Sequence, residues 1–166
     1  MMKNVFLGLG SNLGERIQFI ENAIKEIKNI EGTSVIKSSL IYDTEPWGNI
    51  NQDNYLNSVL EIETDLQAEE LLIQLKLIEK KTGRSENKRW LEREIDIDIL
   101  FYGNEIIEND FVKIPHIQIE KRKFVLIPMA EIAPEFIHPE LKKSVSRLLK
   151  ETEDNLKVNV YQTVKI

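Results

Sequence analysis

The chain contains no cysteine, which excludes a disulfide framework, a zinc–thiolate site and a thiol nucleophile. That absence suits a reducing compartment, and a cytoplasmic location is expected. No run approaches the roughly 20 apolar residues of a membrane-spanning helix, so no membrane partner is expected. The opening Met1-Met2-Lys3-Asn4 leads into a short strand-like run without a signal peptide's apolar region. Internal repeats and low-complexity segments are lacking too. Basic residues number 22 against 28 acidic ones, a net charge of -6, and this argues against broad binding to nucleic acid or an anionic surface. The basic charge that exists is gathered in one place: Lys80, Lys81, Arg84, Lys88, Arg89 and Arg93 crowd together. An acidic chain with one basic segment is better suited to holding a small polyanion than to coating a large one. At 166 residues the chain fits one domain, 1–166, with a core over 1–139 and an extension over 140–166. Nothing in it implies an obligatory protein partner.

The segment Arg93-Glu94-Ile95-Asp96-Ile97-Asp98-Ile99-Leu100-Phe101 directly follows the basic cluster. Side chains two apart on a strand share a face, so the isoleucines point one way and Asp96 and Asp98 the other. Two carboxylates roughly 7 Å apart repel unless a cation sits near them. A hard divalent metal that takes one or two carboxylates plus waters and phosphates fits that arrangement, as magnesium does. An edge strand whose outer face is simply acidic fits it as well.

Before this strand the pattern alternates between strands and helices. Val5-Phe6-Leu7 reads as a short buried strand entering a glycine-rich turn, Gly8-Leu9-Gly10-Ser11-Asn12-Leu13-Gly14. Leu13 stands where a dinucleotide fingerprint needs glycine, and no Gly-Lys-Ser/Thr follows. Ile17, Ile20, Ile24 and Ile27 recur at helical spacing, with Ser11 or Asn12 available as a cap and Gly32 as the stop. Residues 35–42 read as a second strand. Residues 43–54 form a long polar loop that reads as a substrate-covering flap carrying Trp47, or as a loop whose tryptophan plugs a core edge.

Residues 55–62 read as the third strand, with Leu56, Leu60 and Ile62 on one face and Tyr55, Asn57 and Val59 on the other. Tyr55 and Asn57 together can stack on and hydrogen-bond a flat heterocycle, or pack as ordinary neighbours. Leu71, Leu72, Leu75 and Ile78 mark a second helix over 67–82, with Glu79 near its end. Residues 84–93, carrying Trp90, read as an ordered loop on which a nucleotide can rest. A turn at 102–105 leads into a short strand at Ile106-Ile107. His116 follows Pro115 and precedes Lys121-Arg122-Lys123-Phe124, so it reads either as a phosphate contact or as structural, whereas His138, between Ile137 and Pro139, reads as structural. A short helix is expected from Pro128 to Ile132, another over 144–150, and a late strand over 157–164.

The element order predicts an α+β fold: a ferredoxin-like βαββαβ sandwich with a mainly antiparallel sheet, helices on one face, and additional C-terminal elements. The other face would carry Tyr55, Asn57, Asp96 and Asp98 under a roof of loops. A nucleic-acid-binding module of the same architecture would put basic and aromatic residues on that face, and the acidic pair argues against it. A metal-dependent phosphohydrolase would also use paired aspartates.

Seven motifs in order carry a resemblance. They are Gly10-Ser11-Asn12-Leu13-Gly14, Thr44-Glu45-Pro46-x-Gly48, Tyr55-Leu56-Asn57, Glu79-x-x-x-Gly83-Arg84, the acidic strand, Pro115-His116, and Phe124-Val125-Leu126-x-Pro128-x-x-Glu131-Ile132-Ala133-Pro134. Together they resemble the 6-hydroxymethyl-7,8-dihydropterin pyrophosphokinases, from the first strand to about Pro139. The resemblance implies transfer of the terminal diphosphate of ATP to the pterin's hydroxymethyl oxygen, with release of AMP, in folate biosynthesis. It also implies two magnesium ions on Asp96 and Asp98, with Arg93, Asp96 and Asp98 as the catalytic set. Thr44, Pro46, Trp47, Tyr55, Asn57, Asp96 and Phe124 would contact the pterin. Glu79, Arg84, Trp90, Arg93, Ile99, His116 and Arg122 would contact ATP. The chain departs from the family in having Leu91-Glu92 where Gly-Pro is common.

Overall fold

The computed structural model describes residues 1–46, 51–82 and 95–162. The first half runs through strand β1 (Lys3–Ser11), helix α1 (Arg16–Lys28), strands β2 (Thr33–Ser38), β3 (Ile41–Thr44) and β4 (Tyr55–Thr64), helix α2 (Ala68–Lys81) and strand β5 (Asp96–Tyr102). Then come the short strands β6 (Ile107–Glu108) and β7 (Lys113–Ile114), a 3-10 turn at Ile119–Lys121, helices α3 (Lys123–Ile132) and α4 (Val145–Glu151), and strand β8 (Val158–Gln162). The main sheet has the order β5-β1-β4-β3-β8, with β2 also paired to β4, and every pairing in it is antiparallel. The chain is thus a mixture of helices and antiparallel sheet.

Alternation along β1 divides the interior in two. Val5, Leu7 and Leu9 face Ile20, Ile24 and Ile27 of α1 and Leu71, Leu75 and Ile78 of α2. Phe6 turns to the opposite side, toward Phe101, Leu126, Met129 and Ile132 of α3, and Val145 and Leu148 of α4. Each fully buried side chain of this kind contributes roughly 1.5–3 kcal/mol, so both faces of the sheet are firmly covered where helices lie on them. The second core has an aromatic centre in which Phe136 meets Phe6 at 5.0 Å and Phe101 at 4.7 Å between ring centroids.

Several expectations from the sequence need correction. The first strand does not end at Leu7 but runs on through Gly8 and Gly10 to Ser11, because both glycines take paired strand positions. Helix α1 starts only at Arg16, and its N-cap residue, Glu15, makes no side-chain cap bond, so neither Ser11 nor Asn12 caps it. The segment read as one strand over 35–42 is two strands with a break at Ser39-Leu40. There the Ser39 hydroxyl accepts the Val59 N–H, and the Glu131 carboxylate accepts the Leu40 N–H that a continuous strand would offer to a neighbour. Helix α3 begins five residues before Pro128, the position expected to start it. The Asp154 carboxylate receives the Lys123 N–H at its first residue, and the helix tolerates the proline at the loss of one backbone bond. Finally, the second sheet face is not roofed by loops alone, since α3 and α4 cover part of it.

Candidate active site

The uncovered end of that second face holds a cavity of about 360 Å³. Its floor is made by what β1 omits. Register places Gly10 between Asn57 of β4 and Asp96 of β5, and Gly8 between Val59 and Asp98. Each glycine therefore separates two inward-facing side chains without adding one of its own. A Cβ on Gly10 would lie 2.9 Å from the Asn57 Oδ1, so any other residue there forces the amide to shift.

One wall is polar and aromatic. The Asn57 Nδ2 donates to the Thr44 Oγ1 at 2.5 Å, which fixes the amide's orientation, and the Tyr55 hydroxyl reaches the Gln52 Oε1 at 3.4 Å. Beyond it, the Asn54 Nδ2 donates to Asp43, and the Arg16 guanidinium donates to the Asn54 carbonyl at 2.8 Å, tying this part of the loop to the start of α1.

The opposite wall is charged. A bulge in the β1–β5 pairing frees the Leu100 carbonyl, and it accepts the His116 N–H at 3.0 Å. This bond holds the imidazole against β5, with Nε2 3.7 Å from the Asp98 Oδ2. The Nδ1 lies 3.1 Å from the Ile117 carbonyl, an acceptor, so Nδ1 carries the proton and Nε2 is turned to Asp98. Burial, aided by the Arg122 guanidinium, lowers the His116 pKa from its ordinary 6.5 against the opposing pull of the Ile117 carbonyl and Asp96, leaving the ring neutral at pH 7. Arg122 lines the same cavity, where burial disfavours its charge and Asp98 and Asp96 favour it. Phe124, at the start of α3, completes the lining.

The structure therefore brings together Thr44, Tyr55, Asn57, Asp96, Asp98, His116, Arg122 and Phe124. Glu79, Ile99 and Pro46 lie apart from the lining. Glu79 is buried under the end of α2, where its Oε1 accepts the Ile97 N–H and a lysine ammonium, both at 2.9 Å, closing the edge of β5. Ile99 packs in the helix-side core, on the face opposite Asp98. Trp47, Arg84, Trp90 and Arg93, together with Leu91-Glu92, fall outside the described residues. Gly8, Gly10, Leu100 and Val125 also line the cavity without a signal singled out for them above, and Glu45 and Gln52 line it from the loop expected to cover the substrate. For the glycines a signal existed: Leu7-Gly8-Leu9-Gly10 alternates with the period of a strand, apolar on one face and bare on the other.

Asp96 and Asp98 offer oxygen donors on one face, across from bare glycine positions. Among the described residues no group of three or more histidine, cysteine or acidic side chains comes together as a metal cage. Two carboxylates beside an open cavity leave most of a coordination sphere to water and ligand oxygens, as magnesium prefers, so the residues fit that ion.

The family model described as 7,8-dihydro-6-hydroxymethylpterin-pyrophosphokinase matches residues 6–134. The chain is 46% identical over 142 residues to the 2-amino-4-hydroxy-6-hydroxymethyldihydropteridine pyrophosphokinase of Aquifex aeolicus, covering 86% of this chain and 88% of that protein. Identity to the protein of the same name from Haemophilus influenzae is 38% over 154 residues, covering 93% and 96%. Among solved structures, wild-type Plasmodium falciparum HPPK-DHPS with pteroate superposes with a TM-score of 0.73 at 15% identity, a likeness of fold. That match covers 91% of this chain and 42% of the larger one.

Proposed function

The chain belongs to the 7,8-dihydro-6-hydroxymethylpterin-pyrophosphokinase family, and from that premise we propose that its sheet-face cavity is where the family's two substrates meet. The enzyme transfers the terminal diphosphate of ATP to the hydroxymethyl group of 6-hydroxymethyl-7,8-dihydropterin in folate biosynthesis, leaving AMP. The observation that carries the site assignment is the floor of Gly8 and Gly10, with Asn57 on one side and Asp96 and Asp98 on the other.

In this reading the pterin ring lies between Tyr55 and Phe124, and Asn57, Thr44 and Asp96 read its polar edge. Pro46 and Trp47 would add contacts from the flap. The Thr44 bond to the Asn57 amide is the support for this half, because it leaves one amide orientation to present to a ligand. The hydroxymethyl group then points toward Asp98, whose carboxylate takes up its proton as the oxygen attacks the β-phosphorus of ATP. The β-phosphorus–oxygen bond to AMP breaks as the new one forms.

Arg122 and His116 face the diphosphate being transferred. Arg84, Trp90 and Arg93 complete the nucleotide side in this proposal, and Arg93 shares in charge stabilisation; Glu79 and Ile99, expected there from the sequence, lie apart from the cavity and would act only by supporting β5. Magnesium held by Asp96 and Asp98 would neutralise phosphate charge and align the reacting oxygens. The neutral imidazole of His116, with Nδ1–H committed to the Ile117 carbonyl, adds no positive charge beside Asp98, and it would donate to a phosphate oxygen through Nε2 only once protonated. Diphosphate transfer needs little covalent help from protein; alignment and charge stabilisation suffice.

We also read β1, α1, β2, β4, α2 and β5 as a ferredoxin-like frame, supported by the antiparallel order β5-β1-β4 with β2 on the far edge of β4 and both helices packed on one face. The single-domain division, with a core over 1–139 and an extension over 140–166, and a cytoplasmic location belong to the same proposal. No helix of the described residues is long and apolar enough to cross a membrane. The test is an omission experiment measuring AMP with ATP, pterin and magnesium, each left out in turn. AMP that needs all three is the expected result, and AMP formed without pterin would overturn the assignment.

A further inference from the structure

The two walls of the cavity come from segments far apart in sequence, and one carboxylate joins them. Phe124 stands at the start of α3, and Glu131 follows it by seven residues, two turns along the same helix face. On the other wall Tyr42 precedes Thr44 by two residues on β3, so both side chains leave the same side of the strand. Register sets Tyr42 directly across from Asn57, and Thr44 across from Tyr55. The Tyr42 hydroxyl donates to the Glu131 Oε1 at 2.7 Å, and the Leu40 N–H donates to both carboxylate oxygens at 3.0 and 3.1 Å. Glu131 is thus bonded both to the residue that faces Asn57 and to the break that begins β3.

We propose that Glu131 and Tyr42 form a brace that sets the gap between Phe124 and the Thr44–Asn57 edge, making Glu131 a positioning residue for the pterin. The inference rests on reading this cavity as the pterin site. An ionised acceptor makes a shorter and stronger bond than a neutral one, and the phenol is a dependable donor here, since burial and Glu131 itself push its pKa upward. Loss of the brace lets the C-terminal turn of α3 shift against β3, a displacement that the helix carries two turns back to Phe124. The nucleotide side is built mainly on β5 and the segment around His116, which are not attached to Glu131 through these bonds; only Arg122, the N-cap residue of α3, adjoins the braced helix. A rise in pterin KM that clearly exceeds any rise in ATP KM therefore separates a brace from a general stabiliser.

The experiment measures both KM values in Glu131→Gln and Tyr42→Phe, with thermal midpoints recorded alongside. Tyr42→Phe deletes one oxygen and keeps the ring's volume, so it reports even where Glu131→Gln folds poorly. The brace predicts a pterin KM raised about tenfold in each variant, the loss expected for one charge-assisted bond. It also predicts a double variant no worse than the more affected single one, because both remove the same link. A lowered midpoint with an unchanged pterin KM in both variants overturns the proposal, as does an equal rise in both KM values. Phe124→Ala and Asn57→Ala serve as controls for the underlying site. If these also leave the pterin KM unmoved, the cavity assignment fails and the brace with it; if they raise it while the brace variants do not, only the brace is refuted.

Discussion

The glycine at position 10 makes a demanding test, because its replacement should leave the fold largely intact while damaging the site. Gly10 lies within β1 with strand pairing on both sides, and glycine in such a place costs roughly 0.5–1 kcal/mol relative to alanine through backbone entropy. Gly10→Ala recovers some of that, but its Cβ would stand 2.9 Å from the Asn57 Oδ1. Ordinary carbon–oxygen contacts lie near 3.3 Å or beyond, so the amide must withdraw by roughly 0.4 Å. The amide is already held by a 2.5 Å bond to Thr44, and withdrawal stretches or turns that bond. Losing one aligned hydrogen bond to the pterin amounts to about 0.5–1.5 kcal/mol, or up to about tenfold in affinity. Gly8→Ala is the matched comparison. Its Cβ would meet the end of the Leu100 side chain at 3.3 Å, a flexible neighbour that can give way. Equilibrium binding of the pterin, with urea denaturation in parallel, decides the matter. The expected pattern is weakened pterin binding in Gly10→Ala alone, with stability in both variants within about 1 kcal/mol of the parent's. Unchanged pterin affinity in Gly10→Ala would refute the floor argument.

Other expectations follow from the same geometry. Asp98→Ala should reduce diphosphate transfer by roughly a hundredfold to a thousandfold, judged by AMP release, while leaving stability within about 0.5 kcal/mol because the carboxylate faces an open cavity. Glu79→Ala removes the acceptor for the Ile97 N–H at a fully buried position and should cost about 1–3 kcal/mol in urea denaturation; an unchanged midpoint would refute its role at the β5 edge. His138 is buried, and its Nδ1 accepts two backbone N–H bonds, from Glu140 and Leu141. Burial lowers its pKa from the ordinary 6.5, so the unfolded chain takes up a proton that the folded one resists, and stability should fall as pH drops below 6.5. Urea midpoints at about pH 7.5 and about pH 5.5 should therefore differ less in His138→Asn than in the parent, and equal differences would refute the linkage.

Much of the fold was legible because it rests on periodicity. The isoleucines of α1, the leucines of α2 and the alternation of Ile95, Ile97 and Ile99 each select one face, and the structure buries those faces. The acidic pair was legible for the same reason, since a period of two puts Asp96 and Asp98 together whatever surrounds them. What sequence could not reveal depends on contacts made at long range. The break at Ser39-Leu40 is held by Val59 and Glu131, and nothing local to residues 35–42 announces it. Helix α3 passes through Pro128 because surrounding packing outweighs one missing backbone bond, and a local rule places the helix start at the proline instead. Gly8 and Gly10 were misread because glycine more often marks a turn than a strand. Their role becomes evident only once β4 and β5 are seen on either side.

The most direct test of the central claim follows label from ATP into product. With the β- and γ-phosphates labelled, and magnesium and 6-hydroxymethyl-7,8-dihydropterin both present, the account predicts that both labels move together onto the pterin while unlabelled AMP is released. Label transferred from the γ-phosphate alone, with ADP as the second product, would contradict diphosphate transfer. Both labels recovered in free diphosphate or phosphate would contradict the pterin as acceptor.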